Sequence, residues 1–279
     1  MNSTGKLQAS PTKDSTEWLP ILRSIQDRLV RPVTHFSEKC GISPLDLRLR
    51  VLLHLPRYRA EQLDDEDLIH KEVERLALKT LDLQREFTEW TTQEPICLLD
   101  KTRAYVCETS ADMAAIIHER FHYIGSGRDG RHFALQFADR QMPAALVTLS
   151  EMDVQKLKAY LPTARGKPSL VLSRMFSFRW APRNSITYLL GWVGRWLKNE
   201  KQLESLLTWV NPNLGFQGSS YRAANWIHIG SEPTTYRYIK GDYLTARQLF
   251  RNSECASSVV DTAQLNLAPL QVWYYPIGE

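Results

Sequence analysis

The chain has 279 residues, 43% hydrophobic and 24% charged, which is enough apolar mass for a sizeable core and for more than one module. That content excludes a wholly disordered chain, and no apolar run approaches the ~20 residues of a bilayer span, nor does the N-terminus carry the apolar stretch of a signal peptide. The formal net charge of +4 conceals an uneven distribution: residues 121–252 hold 18 Lys and Arg against 8 Asp and Glu, while the segments on either side are mildly acidic. A basic centre of this kind suits an anionic ligand such as a nucleotide, a coenzyme or a nucleic-acid backbone, and equally suits a solvated charged surface. Cys40, Cys97, Cys107 and Cys255 show no C-x-x-C spacing. Neither a zinc ribbon nor a disulfide framework follows, and a reducing cytoplasm is the expected compartment.

Residues 1–15 are polar and Pro-interrupted, and read as a disordered tail. Residues 16–96 read as a helical accessory region. Trp18, Ile21, Leu22, Ile25 and Leu29 follow helical spacing, with Pro32 expected to stop that helix. A second helix begins with Ser43 as N-cap and Pro44 at its first position. A third extends from the acidic 63–68 stretch to about Trp90, its early carboxylates suiting the helix dipole.

From residue 97 the pattern becomes mixed. A strand is expected near Arg103–Cys107, then a helix introduced by Thr109-Ser110, a Gly-rich loop over 126–131 and a hairpin turning at Asp139-Arg140. A short helix over Met152–Leu161 precedes the strongest strand, Ser169–Trp180. Asn184 or Ser185 then caps a helix through Lys198. Leu206–Val210 is a buried strand, followed by the loop 211–218, a short helix over 219–225 with Asn225 at its C-terminus, a strand at Trp226–Ile229 and a hairpin about Lys240-Gly241-Asp242. The expected class is α/β (α+β), a mixed sheet flanked by helices, with the catalytic domain over 97–252 and a C-terminal extension over 253–279.

The junction between the long strand and the helix at Asn184 is the most suggestive place for a phosphate, since free amides and the positive dipole end meet there. Ser173, Arg174, Arg183, Asn184, Ser185 and Thr187 are the residues expected to bind such a group; ordinary capping with surface arginines is the competing account. There is no G-x-x-x-x-G-K-S/T loop, which argues against a P-loop NTPase.

The element order is similar to that of the GNAT acyltransferase superfamily, although its R/Q-x-x-G-x-G/A loop is replaced by APRNSITYLLG. His122-Tyr123, Arg183-Asn184-Ser185 and GFQGSSYRAANW (215–226) resemble the Mom-like branch, DNA-modification proteins that alter the exocyclic amine of adenine. The YRAANW block also resembles that of the DruA anti-phage defence family. The resemblance implies a GNAT-like catalytic domain, acetyl-CoA or a related acyl donor, and DNA as partner. It assigns catalytic positions to His122, Tyr123 and Tyr221, and places Asn211 where the family has an acidic residue. An Asp accepts a proton or binds a metal as a carboxylate, whereas Asn only positions groups by hydrogen bonds. His122, with an unperturbed pKa near 6.5, is suited to relay a proton, and Tyr221 to protonate a leaving thiolate.

Arg128, Arg131 and Arg222 are the expected nucleic-acid contacts. No metal-ligand spacing accompanies these residues. Two other functions fit the same features: a non-enzymatic nucleic-acid-binding subunit of an anti-phage system, and a small-molecule N-acyltransferase.

Overall fold

A computed structural model describes residues 19–58, 60–151, 160, 168–199, 203–234, 236–239, 242–245, 260–261 and 267–277. The tail over 1–15 and all but Tyr160 of the helix expected over Met152–Leu161 lie outside the described residues. Among the described residues no helix is long and apolar enough to cross a membrane.

Three helices open the chain. α1 spans Leu19–Cys40, α2 Pro44–His54 and α3 Glu66–Gln84. Contrary to the sequence expectation, α1 runs through Pro32. Its apolar stripe continues beyond the proline as Val33, Phe36 and Cys40, all buried with Ile25 and Leu29 against α2 and α3. An interior proline costs about 3 kcal/mol, whereas each large buried side chain contributes about 1.5–3 kcal/mol, so the stripe prevails. α2 starts as expected: the Ser43 hydroxyl accepts from the Asp46 amide and Pro44 occupies the first turn. α3 is capped by Asp65, which accepts from the amides of Asp67 and Leu68. It ends at Gln84, short of Trp90, where a 3₁₀ turn, Arg85–Phe87, and the single turn α4, Thr88–Thr91, take over.

The rest of the chain builds a seven-stranded mixed sheet. In order of introduction, β1 is Ala104–Glu108, β2 Arg131–Phe137, β3 Ala145–Glu151, β4 Ser169–Ser177, β5 Ser205–Val210, β6 Ile227–Glu232 and β10 Leu270–Pro276. Their spatial order is β1-β2-β3-β4-β5-β10-β6, antiparallel except for the parallel pair β4–β5. The intervening β7 (Tyr236–Ile239), β8 (Asp242–Thr245) and β9 (Val260–Asp261) form a separate three-stranded sheet, with β7–β8 as the expected hairpin. β10 comes from the segment read as a C-terminal extension, yet it lies inside the main sheet between β5 and β6. Its alternation is hard to see in sequence because Val272, Trp273, Tyr274 and Tyr275 leave neither face polar.

Helices cover both faces. α5 (Ala111–Ile116) begins at the Ser110 cap and continues as one turn of π-helix, Ile117–Phe121. α6 (Ser185–Asn199) packs on the opposite face, where Trp192 and Trp196 meet Phe133. α7 (Ser219–Ala223) follows β5; Ala224 is its C-cap, and Asn225, just beyond, has the left-handed φ of 63° that commonly follows a helix end. The whole is a mixed sheet flanked by helices, with an N-terminal helical extension, as the expected class required.

Candidate active site

The parallel pairing of β4 and β5 lasts only three residue pairs, from Ser169↔Ser205 to Val171↔Leu207. At the next position the side chain of Thr208 closes the gap, its hydroxyl donating to the Leu172 carbonyl at 2.9 Å. Beyond it the two strands diverge without further pairing, while β4 stays paired with β3 as far as Ser177. Tyr221 hydrogen-bonds the Thr208 hydroxyl and lies within electrostatic reach of Tyr123. Burial pushes the Tyr221 phenol above the usual range, so it stays protonated at neutral pH.

The placement of Tyr221 rests on Gly218. Its φ is 67°, and a Cβ there would stand 2.4 Å from the Trp273 ring. Only glycine lets the turn before α7 close over β10. Tyr221 then stacks on Trp273 at 6.2 Å and meets Trp226 edge-on at 5.2 Å.

His122 and Tyr123 leave the π turn together, with rings stacked at 4.4 Å. His122 is 3% exposed. Its Nδ1 accepts from the Ile124 amide at 3.1 Å, and a backbone hydrogen bond to Met175 engages the ring as well. Burial first, then the nearby His118, Arg174 and Arg50, hold its pKa well below 6.5. The ring is therefore neutral, with Nδ1 occupied, an arrangement that orients Tyr123 and leaves no open lone pair for proton abstraction. Tyr123 in turn packs towards Phe216, at 5.8 Å, and the helical core.

Asn211 follows directly on the end of β5. It begins the 3₁₀ turn Pro212–Leu214, where its Oδ1 accepts from both the amide and the Nδ2 of Asn213. Asn213 then exchanges two 2.8 Å hydrogen bonds with the Ala268 backbone, fixing the loop after β5 to the approach of β10.

The residues expected at a donor junction fall into two groups on opposite faces of the sheet. Arg174 pairs in register with Thr148, whose hydroxyl meets His118 and His132 on the π-turn face. It is 3% exposed and holds the Gly-rich loop by donating to the carbonyl and hydroxyl of Ser126 at 3.0 and 3.1 Å. Ser173 shares a 2.7 Å hydrogen bond with Ser150. At α6, Arg183 is exposed and Asn184 adopts φ 69°, with its carbonyl taking the Tyr188 amide. The Ser185 hydroxyl is turned back onto the Pro182 carbonyl at 2.7 Å, so it does not cap the helix, and Thr187 is half-buried in the first turn.

Of the expected nucleic-acid contacts, Arg128 is exposed on the Gly-rich loop. Arg131 is bound to Glu108 through two 3.1 Å hydrogen bonds and lies 4.2 Å over the Trp196 ring. Arg222 sits 5.9 Å from Trp273 at a shallow pocket of about 260 Å³ shared with His228 and Gln271. Among the described residues no group of three or more His, Cys, Asp or Glu is arranged to hold a metal ion.

Four further residues belong to this region and escaped sequence reasoning. Arg50 of α2 donates to the carbonyls of Arg120 and His122 at 3.0 and 3.2 Å, closing the end of the π turn. One turn earlier, Asp46 is raised to about pKa 6 by burial, against the opposing charges of Arg50 and Arg179. Thr208 looked like one more residue of a buried strand. His118 had a visible signal, the i, i+4 spacing with His122, and its ring lies 5.9 Å from that of His122.

No curated protein matches the chain. Solved structures similar to it include the ribosomal-protein-S18-alanine N-acetyltransferase from Escherichia coli, at 11% identity over 63% of this chain and 95% of that one, TM-score 0.38. Arabidopsis thaliana NAA60 in complex with acetyl-CoA is similar at 9% identity over 62% and 98%, TM-score 0.40. FeeM, an N-acyl amino acid synthase from uncultured soil microbes, is similar at 12% identity over 63% and 91%, TM-score 0.36. Residues 103–269 match the model of the Mom protein family, and the chain belongs to that family.

Proposed function

We propose that this protein is an acyltransferase-like enzyme that modifies the exocyclic amine of adenine in DNA, using an acyl-CoA-type donor. The observation that carries this reading is the fork between β4 and β5, with the protonated Tyr221 hydroxyl held at its base by Thr208. Membership of the Mom family supports this reading.

The donor brings an activated acyl group. Its phosphates suit the first turn of α6, where the amides of Ile186 and Thr187 stand at the positive end of a fifteen-residue helix behind the exposed Arg183. Ser173 and Arg174 have no part in that contact, because both are committed to the far side of β4.

The Tyr221 hydroxyl is suited to deliver a proton to a departing thiolate, its phenolate then taking the proton that the acylated amine gives up. Tyr123, steadied by His122, is the residue suited to align the incoming amine. Adenine's amine is a poor nucleophile because its lone pair is delocalised, so orientation and desolvation must supply much of the rate. Extraction of the base from the duplex brings it within reach of the fork.

The test is transfer of radiolabel from acyl-labelled acetyl-CoA to duplex DNA by the purified protein. Label in the DNA supports the reading; transfer only to small amines contradicts it. A non-enzymatic DNA-binding subunit is favoured by two observations: Asn211 is spent on a turn and the Nδ1 of His122 is occupied. DNA binding that ignores acetyl-CoA, with no labelled product, would establish that second reading.

A further inference from the structure

A cleft of about 360 Å³ lies where α2 and α3 meet the end of the π turn. Arg50, His54, Lys79, Thr80, Arg120 and Tyr123 line it, with Glu119 as the one acidic side chain at its wall. Arg50, Lys79 and Arg120 have no salt-bridge partner among the described residues. Arg50 is 6% exposed, and its Nε has no hydrogen-bond partner. Only its Nη2 is committed, to the Arg120 and His122 carbonyls. A buried guanidinium without a salt-bridged counter-ion is costly, and burial pushes its pKa down. Asp46, one turn earlier on α2, opposes its charge through space but makes no salt bridge with it. The cleft is therefore short of negative charge and open to solvent through Lys79 and Arg120.

We propose that this cleft binds a phosphate of the DNA strand undergoing modification, seated on Arg50, Lys79 and Arg120 beside Tyr123. This inference rests on the DNA-modifying reading above. The helical extension then forms one wall of the substrate site: a phosphodiester in the cleft puts an adjoining nucleotide next to Tyr123, whose ring is shared between the cleft and the His122 stack. A volume of this size accommodates a phosphate with part of its sugar, not a duplex, so the strand enters by its backbone.

The experiment measures fluorescence anisotropy of a labelled single-stranded oligonucleotide with the intact protein over a salt series. Lys79→Glu and Arg120→Glu are compared with wild type and with Lys101→Glu, a reversal at an exposed turn away from the cleft. Each cleft reversal is expected to weaken binding by roughly 5–50-fold and to lower the salt slope by about one, with Lys101→Glu near wild type. Circular dichroism melts establish that the variants are folded. Wild-type binding by both folded cleft variants overturns the inference while leaving the DNA reading in place. Absence of oligonucleotide binding by the wild type, even at about 50 mM salt, overturns the DNA reading itself. Thermal stabilisation by inorganic phosphate or AMP, lost in the variants and without any oligonucleotide binding, assigns the cleft to a free anion and overturns its assignment to a strand.

Discussion

Arg50 and His122, 72 residues apart in sequence, are joined by a 3.2 Å hydrogen bond from the Arg50 guanidinium to the His122 carbonyl. The same Nη2 reaches the Arg120 carbonyl at 3.0 Å, and Gln84 of α3 adds a 3.3 Å contact to that oxygen. The end of a helix leaves carbonyls without intrahelical partners, and here the helical extension supplies them. The conformation of His122-Tyr123 thus depends on α2 and α3.

Arg50→Met removes that cap while keeping much of the apolar stem. Two carbonyls lose a charged donor, at a cost of about 2–4 kcal/mol in urea unfolding. Near-UV circular dichroism should change as the His122-Tyr123 stack loosens. An unchanged midpoint would show that the link is dispensable.

Gly218→Ala tests how Tyr221 is positioned. A methyl group at φ 67° would meet the Trp273 ring at 2.4 Å. Left-handed strain of about 1–2 kcal/mol and overpacking of about 1–3 kcal/mol should lower the melting temperature measurably. Activity should fall further than stability, because α7 carries Tyr221. Gly230→Ala is the comparison, since nothing lies within 4 Å of a Cβ there.

Stability should respond to pH with two opposite signs. Burial holds His54 at about 4 and His118 at about 3, and His122 well below 6.5. These neutral rings contribute stability above pH 6.5 that is lost as the pH falls through their folded values. Asp46, raised from 3.8 to about 6, contributes below 3.8 and loses its contribution as the pH rises through 6. Asp46→Asn should therefore stabilise the protein at pH 7 by about 1–2 kcal/mol and leave the acid-induced loss intact. Urea midpoints between pH 4 and 8 measure both effects. A destabilised Asp46→Asn protein at pH 7 would contradict the assigned sign.

Asn211→Asp asks whether the family's carboxylate position is still compatible with this loop. The Asn211 Oδ1 accepts from two groups of Asn213, a role that an Asp oxygen fills equally well. Stability should change by less than about 1 kcal/mol. A loss well above that would show that the Asn211 amide nitrogen has a structural role.

Much of the fold was legible because periodicity and punctuation agreed. Ser43-Pro44, Ser110 and the β2–β3 and β7–β8 hairpins carry local signals that tertiary packing did not overrule. Pro32 misled because a local cost was outweighed by Val33, Phe36 and Cys40 packing farther along α1. β10 was missed because its place depends on pairing with β5 and β6, contacts that no local pattern announces. The site was legible in part. Tyr221 and the His122-Tyr123 pair came from motif resemblance, while Arg50, Asp46 and Thr208 became visible only through long-range contacts. Arg174 and the α6 start were grouped by nearness in sequence, yet the register of β4 puts them on opposite faces.

The central claim is that the Tyr221 hydroxyl at the base of the β4–β5 fork serves modification of adenine in DNA. Mass spectrometry of nucleosides from DNA of cells expressing the wild type or Tyr221→Phe tests it most directly. We expect a mass-shifted adenine nucleoside with wild type and its loss by roughly 100-fold or more with Tyr221→Phe, in a variant that circular dichroism shows to be folded at the assay temperature. Equal amounts of that nucleoside in both, or none with wild type, would contradict the account.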